Sequence, residues 1–289
     1  MITQKLKQGS PEWHVFRKSH LGGSEMAAVL GESPYATPLQ LWEEKVYGKE
    51  NVSNPAMERG KALESEALTA YEKEYGGVYF PDVLEHSEIK YLSASFDGIT
   101  MERDSAVELK ACSKTTHEMI SKGNPPKHYY IQCQHLMFIA NLKSMHLANY
   151  HPEMEKKLVV CTIERDEKFI AKMLIEAEKF WSLVQTKVPP PPEDRDYQMR
   201  DDEEWTKLIA EYAKWDQQDK EAKKQKEKYK EALVSISNGR SCKGSGFSLA
   251  KSVRLGSIDY KSILSDHGLD IELDSYRSKN SEVWTIRKS

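Results

Sequence analysis

The stretch SFDGITMERDSAVELKAC, Ser95 to Cys112, reads as two strands closed by the turn Glu102-Arg103-Asp104-Ser105. Strand side chains alternate faces, so Val107 and Leu109 point one way while Glu108 and Lys110 point the other. Valine and leucine belong against a core. The opposite face then carries a carboxylate and an ammonium, with Asp97 on the neighbouring strand. A surface ion pair would explain Glu-x-Lys by itself, so the surrounding sequence has to decide.

Working outward, strand chemistry precedes the hairpin at Val78-Tyr79-Phe80 and follows it at Lys157 to Glu164. Pro125-Pro126 opens a helical run over Tyr129 to Ala140, and Phe169, Met173, Ala177 and Phe180 give Asp166 to Thr186 helical spacing. Upstream, Ser10-Pro11, Thr37-Pro38 and Asn54-Pro55 are cap-plus-proline starts. The last two begin helices over Leu39 to Tyr47 and Ala56 to Tyr75, and Gly76-Gly77 ends the second. The expected class is α/β (α+β).

The proline run Pro189 to Pro192 is the strongest break in the chain. It sets the expected organisation: a domain over 1–188, a proline-rich linker at 189–196, a charged helical segment at 197–238 and a small unit at 239–289 with at least two strands. Trp205, Leu208, Ile209, Tyr212 and Trp215 form an apolar stripe on the charged helix, which thins from Asp216 to Lys230 as in a solvated helix or one side of a coiled coil. Trp284 is expected in the core of the terminal unit.

Composition bounds the function. Of 289 residues 39% are hydrophobic, enough for a real core, and the formal charge of -3 gives no general affinity for polyanions. Nucleic-acid binding would need basic groups concentrated locally, and Lys114, Lys122 and Lys127 around the Gly123-to-Pro126 loop are candidates. The cysteines Cys112, Cys133, Cys161 and Cys242 lack CxxC spacing, which argues against zinc or iron–sulfur ligation. His14, His117, His128, His135 and His151 are scattered and read as ordinary polar residues. No signal peptide and no apolar run near 18 residues is present, so a cytoplasmic protein making no membrane contact is expected.

A third acid joins the hairpin. On the helix from Ala56, Gly60, Glu64, Ala67, Leu68 and Tyr71 share one face, so Glu64 lies in an apolar stripe. A buried glutamate is costly unless paired, protonated or metal-bound. Pairing with Arg59 or Lys61 is the simpler account. Three acids and a lysine also suit Mg²⁺, a hard ion that takes carboxylate oxygens. Two such ions can stabilise the attacking and leaving oxygens of a phosphodiester, while a lysine orients or deprotonates water. Asp…Glu-x-Lys after a helical glutamate is the PD-(D/E)xK nuclease pattern, here with Phe96 in place of its proline.

Ordered blocks then make the resemblance specific. Glu12-Trp13-His14 with Arg17, Gly23-Ser24-Glu25, Arg59-Gly60-Lys61-Ala62-Leu63-Glu64, Ser95-Phe96-Asp97-Gly98 and Glu108-Leu109-Lys110 come first. Gln132-Cys133-Gln134, Ala148 to Pro152 and Ile163 to Lys168 follow. Residues 8 to 185 thus resemble the lambda-exonuclease and YqaJ-type viral recombinase family. The resemblance implies a restriction-endonuclease-like core, a central mixed sheet flanked by helices.

It also implies a 5′→3′ exonuclease on linear double-stranded DNA that leaves 3′ single-stranded tails, with a single-strand annealing protein as partner and a phage or prophage origin. The expected assembly is a ring-shaped homo-oligomer, a trimer being favoured, and the cofactor is Mg²⁺, replaceable by Mn²⁺, with two ions per site. By the same carry-over Asp97, Glu108 and the Leu109 carbonyl bind metal, and Glu64 completes the second position. Lys110 acts on water, with Gln134 as a further catalytic contact and Gln132 as the alternative. Arg17, Ser24 and Ser95 match phosphate-holding positions. Arg17 could instead stack on Trp13 or pair with Glu12, and Ser24 could merely cap the helix that follows. A restriction- or repair-type endonuclease of the same fold is the alternative activity, and a non-catalytic scaffold a third.

Overall fold

Residues 1–48, 55–252 and 263 are described by the computed structural model. The chain divides into two units, Met1–Gln198 and Met199–Ser289. In the first, β1 (Ile2–Gln4), α1 (Pro11–Lys18), α2 (Gly23–Val29), α3 (Pro38–Tyr47) and α4 (Pro55–Tyr75) precede β2 (Phe80–Glu85), β3 (Ser93–Ile99) and β4 (Ala106–Lys110). Then come α5 (Lys114–Ser121), α6 (Lys127–Ala140), β5 (Ser144–Tyr150), β6 (Leu158–Glu164) and α7 (Glu167–Thr186).

The six strands form one sheet in chain order. All neighbours are antiparallel except β4 and β5, which run parallel. A parallel pair needs a crossover, and α5 with α6 supplies it. The sheet is therefore mixed and flanked by helices, as expected.

Helix starts follow the local chemistry. Ser10 accepts from the Trp13 N–H at 3.2 Å with Pro11 at the first position. Thr37 and Gln40 cap α3 reciprocally, with bonds of 3.1 and 3.2 Å. Both sheet faces are covered. On one side Val107, Leu109 and Ala148 pack with Ala67 and Tyr71 of α4. On the other, Phe96, Ala106 and Leu147 join the larger core with α2, α6 and α7. The face that carries Glu108 is thus an interior one, and Glu108 is 1% exposed.

Three elements were not expected: β1, α5 and β5. In β5 the buried Asn149 and half-buried His146 interrupt the apolar alternation. Val78-Tyr79-Phe80 is only the lead-in to β2, because the Tyr79 N–H donates back to Glu72 at 2.8 Å. The proline-rich stretch is not a free linker either. Arg195 donates to the Ser33 carbonyl at 3.0 Å and Thr37 to Asp196 at 2.5 Å, so the first unit ends at 198 and not 188.

The second unit holds α8 (Glu203–Ile236), capped by Asp202, and the hairpin β7 (Cys242–Gly244) with β8 (Phe247–Leu249). Of the small terminal unit, everything beyond 252 except 263 lies outside the described residues, including Trp284. No described helix is long and apolar enough to cross a membrane.

Candidate active site

The pairing of β3 with β4 stops at Gly98 opposite Val107. On its other edge β3 steps from Ile99 opposite Phe80 to Phe96 opposite Asp82, which puts an extra residue into β3 around Asp97. Such a bulge re-aims a side chain and ends a ladder. The Leu109 N–H left by the parting strands donates to Asp97 Oδ2 at 2.9 Å. Gly98 makes room for this arrangement: a Cβ there would lie 3.0 Å from both Tyr79 Cβ and Val107 Cγ1.

Glu108 Oε1 accepts from Lys110 Nζ and, at 2.6 Å, from Gln132 Nε2. Its other oxygen, Oε2, is buried and accepts nothing. Burial pushes the Glu108 carboxyl up to about 8, the neighbouring Asp97 charge adding to the effect and Lys110 opposing it. For Lys110 burial works against the charge, yet the two carboxylates hold its pKa above the ordinary lysine value. Its ammonium sits 5.2 Å from the centre of the Tyr129 ring, whose hydroxyl is 2.9 Å from Cys112 Sγ. A buried carboxylate oxygen without a proton donor, beside a second carboxylate, is the oxygen-rich donor set of a hard divalent cation.

Two expected members are not in this cluster. Gln134 is fully buried and faces away: Nε2 donates to the Glu164 carbonyl at 2.7 Å and Oε1 accepts from the Asp166 N–H at 2.9 Å. It joins α6 to the end of β6 and the start of α7, a structural place. Gln132, the alternative, is the glutamine that reaches Glu108. Residues two apart on a helix point to nearly opposite sides, and α6 is buried on both, so neither glutamine is at the surface. Glu64 is half-buried on α4, a turn before the Ala67-to-Tyr71 stretch that packs on the sheet. Among the described residues no three His, Cys, Asp or Glu side chains converge to hold a metal.

Two of the three phosphate candidates, Arg17 and Ser95, meet at Trp13. Its indole Nε1 donates to Ser95 Oγ at 3.0 Å, and the Arg17 guanidinium lies 4.9 Å from its ring centre. Arg17 also donates to Glu25 at 2.6 Å, so its partner is Glu25 and not Glu12. Ser24 is exposed in the first turn of α2, whose N-cap is Gly22 and not Ser24. Glu25 accepts the Gly22 N–H at 2.9 Å and the buried Lys45 ammonium at 2.8 Å. Burial raises its pKa, but Lys45, Arg17 and the Gly22 N–H outweigh that and hold it at about 2.

Ser95 and Asp97 share β3, and Gly23 lets α2 lie close on Gln132 and Leu136 of α6, which links both clusters. Sequence reasoning gave no role to Glu25, Lys45 or Tyr129. Lys45 could have been found, since it follows Leu41 by four on the buried side of α3. His135 is more than an ordinary polar group: it is fully buried, bonded to the Ser93 carbonyl at 2.8 Å and pulled down to about 4 by burial.

Comparisons with known proteins bear on the family and the fold. Residues 12–143 match the YqaJ-like viral recombinase domain. The Bacillus subtilis (strain 168) protein YqaJ is 26% identical over 198 residues, or 63% of this chain, and the match spans only 58% of that relative. The crystal structure of an alkaline exonuclease from Laribacter hongkongensis aligns with a TM-score of 0.55 at 25% identity, covering 62% of this chain and 94% of that one. Its complex with dAMP aligns over the same shares with a TM-score of 0.54 at 25% identity. The fold is restriction-endonuclease-like.

Proposed function

We propose that this chain, whose residues 12–143 match the YqaJ-like viral recombinase domain, is a divalent-metal-dependent exonuclease that hydrolyses one strand of linear duplex DNA. The direction is 5′→3′, leaving 3′ tails for recombination by strand annealing. The observation that carries the reading is Glu108 Oε2, a buried carboxylate oxygen without a hydrogen-bond partner, set beside Asp97 and Lys110. A deoxynucleoside monophosphate, bound by the Laribacter enzyme, is the product class of such hydrolysis.

Asp97 and Glu108, with the Leu109 carbonyl, would hold Mg²⁺ or Mn²⁺. That ion, when bound, polarises the scissile phosphate and offsets the charge that develops on it. The two assembled acids support one cation; the second, expected at Glu64, has no assembled site among the described residues. Lys110 is kept protonated by its neighbours, so its role is to orient the attacking water and balance phosphate charge, not to remove a proton. Gln132 fixes the Glu108 carboxylate from the α6 side. Arg17, Ser24 and Ser95 would receive the 5′-terminal phosphate, which selects ends over internal sites.

Linear duplex with 5′-phosphates and covalently closed circles, incubated side by side with Mg²⁺, test this. Mononucleotides released from the linear DNA alone, and lost with Glu108→Ala, are the expected result. Equal cutting of both substrates overturns the exonuclease reading.

A further inference from the structure

Helix α8 stands apart from the chemistry above, and the inference from it is independent of that reading. Its 34 residues bury no side chain. Leu208 and Trp215 are each 63% exposed, and Ile236 is 76% exposed. From Trp205 the apolar positions advance in alternating steps of three and four. Trp205, Leu208, Tyr212 and Trp215 fill the first half, and Tyr229, Leu233 and Ile236 the second. The three core positions between them are Asp219, Ala222 and Lys226. The two apolar runs keep one 3.5-residue register across a polar middle, the spacing of a coiled-coil seam.

The two charged core positions decide the partner. In a parallel, in-register pair Asp219 would meet Asp219 and Lys226 would meet Lys226, like charges across a buried layer. The flanking positions would set Glu211 against Asp216 of the second copy, a further repulsion. Reversing one helix about a two-fold axis between Asp219 and Ala222 removes the Lys226 and Glu211–Asp216 conflicts and moves the two Asp219 side chains into adjacent layers. Trp205 then faces Ile236, Leu208 faces Leu233, Tyr212 faces Tyr229, Trp215 faces Lys226, and Asp219 faces Ala222. Each aromatic position of one half meets an apolar or cationic position of the other, and Lys226 on Trp215 is a favourable cation–π pairing. The flanking Asp216 meets Lys223 of the second copy, twice by symmetry.

We infer that α8 is the antiparallel dimerisation helix of this protein, with a second copy of the same helix as its partner. In the single chain Asp216 is held by Lys220 and Asp219 by Lys223, each at 2.6 Å, exposed pairs that exchange at little cost on association.

The test uses the full chain. Leu208→Cys and Leu233→Cys variants, each alone and then mixed, are oxidised, and the linked peptides are identified by mass spectrometry. Cross-links joining 208 to 233 in the mixture, with neither variant linking to itself through α8, are expected. Sedimentation equilibrium gives the second readout. Asp216→Lys weakens α8-mediated association about tenfold, and Asp216→Lys with Lys223→Asp restores it. Links from 208 to 208, or tighter association of Asp216→Lys, would establish the parallel pair instead and overturn the inference. So would the absence of any α8-to-α8 link in a wild-type-like fold, whether the stripe is covered by the chain's own C-terminal residues or by another protein.

Discussion

At the scale of single residues, the site turns on which atoms are left without partners and which are fully engaged. Gln132 and Gln134 lie on the same helix and both are buried, but only Gln132 touches Glu108. Gln132→Ala is expected to lower the hydrolysis rate by more than the loss of one buried hydrogen bond, about 1–3 kcal/mol of stability, explains. Gln134→Ala, which strips two buried hydrogen bonds, is expected to cost about 1–3 kcal/mol of stability and to alter activity only through that loss. Chemical denaturation alongside steady-state rates separates the two. The repeated glutamine was legible in the sequence, its division of labour was not, because two positions on a helix buried on both sides carry no mark of which neighbour each will meet. Glu25 shows a second residue-scale effect. Its folded pKa of about 2 lies below the ordinary 4.5, so its contribution is complete above about 4.5 and is lost as pH falls toward 2. Glu25→Gln should therefore lower stability by on the order of 3 kcal/mol at pH 7 and far less at pH 2, read from urea unfolding at both values.

At the scale of elements, the opening between β3 and β4 makes the site possible. Had the ladder continued through Asp97, the Leu109 N–H would have bonded to backbone, and the carboxylate would not be drawn to it. Gly98 sits where this opening begins, so Gly98→Ala forces Tyr79 or Val107 to move. A loss of about 1–3 kcal/mol in unfolding free energy is expected, with activity falling beyond what stability explains because Asp97 shifts with the strand. The hairpin, the caps of α1 and α3, and α7 were all readable from local chemistry, since each is written in neighbouring residues. The bulge was not, because it arises from how β3 satisfies two different partners at once. Nor was β5, whose Asn149 is buried through bonds to the Cys112 N–H at 2.8 Å and to His117 at 2.9 Å. A polar residue in a strand predicts exposure unless its distant partners are known.

At the scale of the whole molecule, the proposed chemistry and the inferred association fall on different units. The first unit contains both clusters of the candidate site, and the second presents α8. The expected boundary at the prolines was displaced because a rigid proline run can lie along a surface as readily as bridge two units, and residues 193–196 are held by α3 and its approach. Limited trypsin digestion should cut first at the exposed Arg200, and the product ending there should keep the melting temperature of the first unit, measured by differential scanning calorimetry.

Lys45 carries one more consequence. Its ammonium has three N–H directions, and the structure uses every one: the Arg17 carbonyl at 2.7 Å, the His20 carbonyl at 2.7 Å and Glu25 at 2.8 Å. These acceptors are disposed around a tetrahedral tip, two at the tail of α1 and one at the head of α2. A guanidinium is flat and sends its donors out in one plane, so arginine at this position would keep the charge and lose the third direction. The corner of the fold that presents Arg17 is therefore specified by the shape of a cation as much as by its sign.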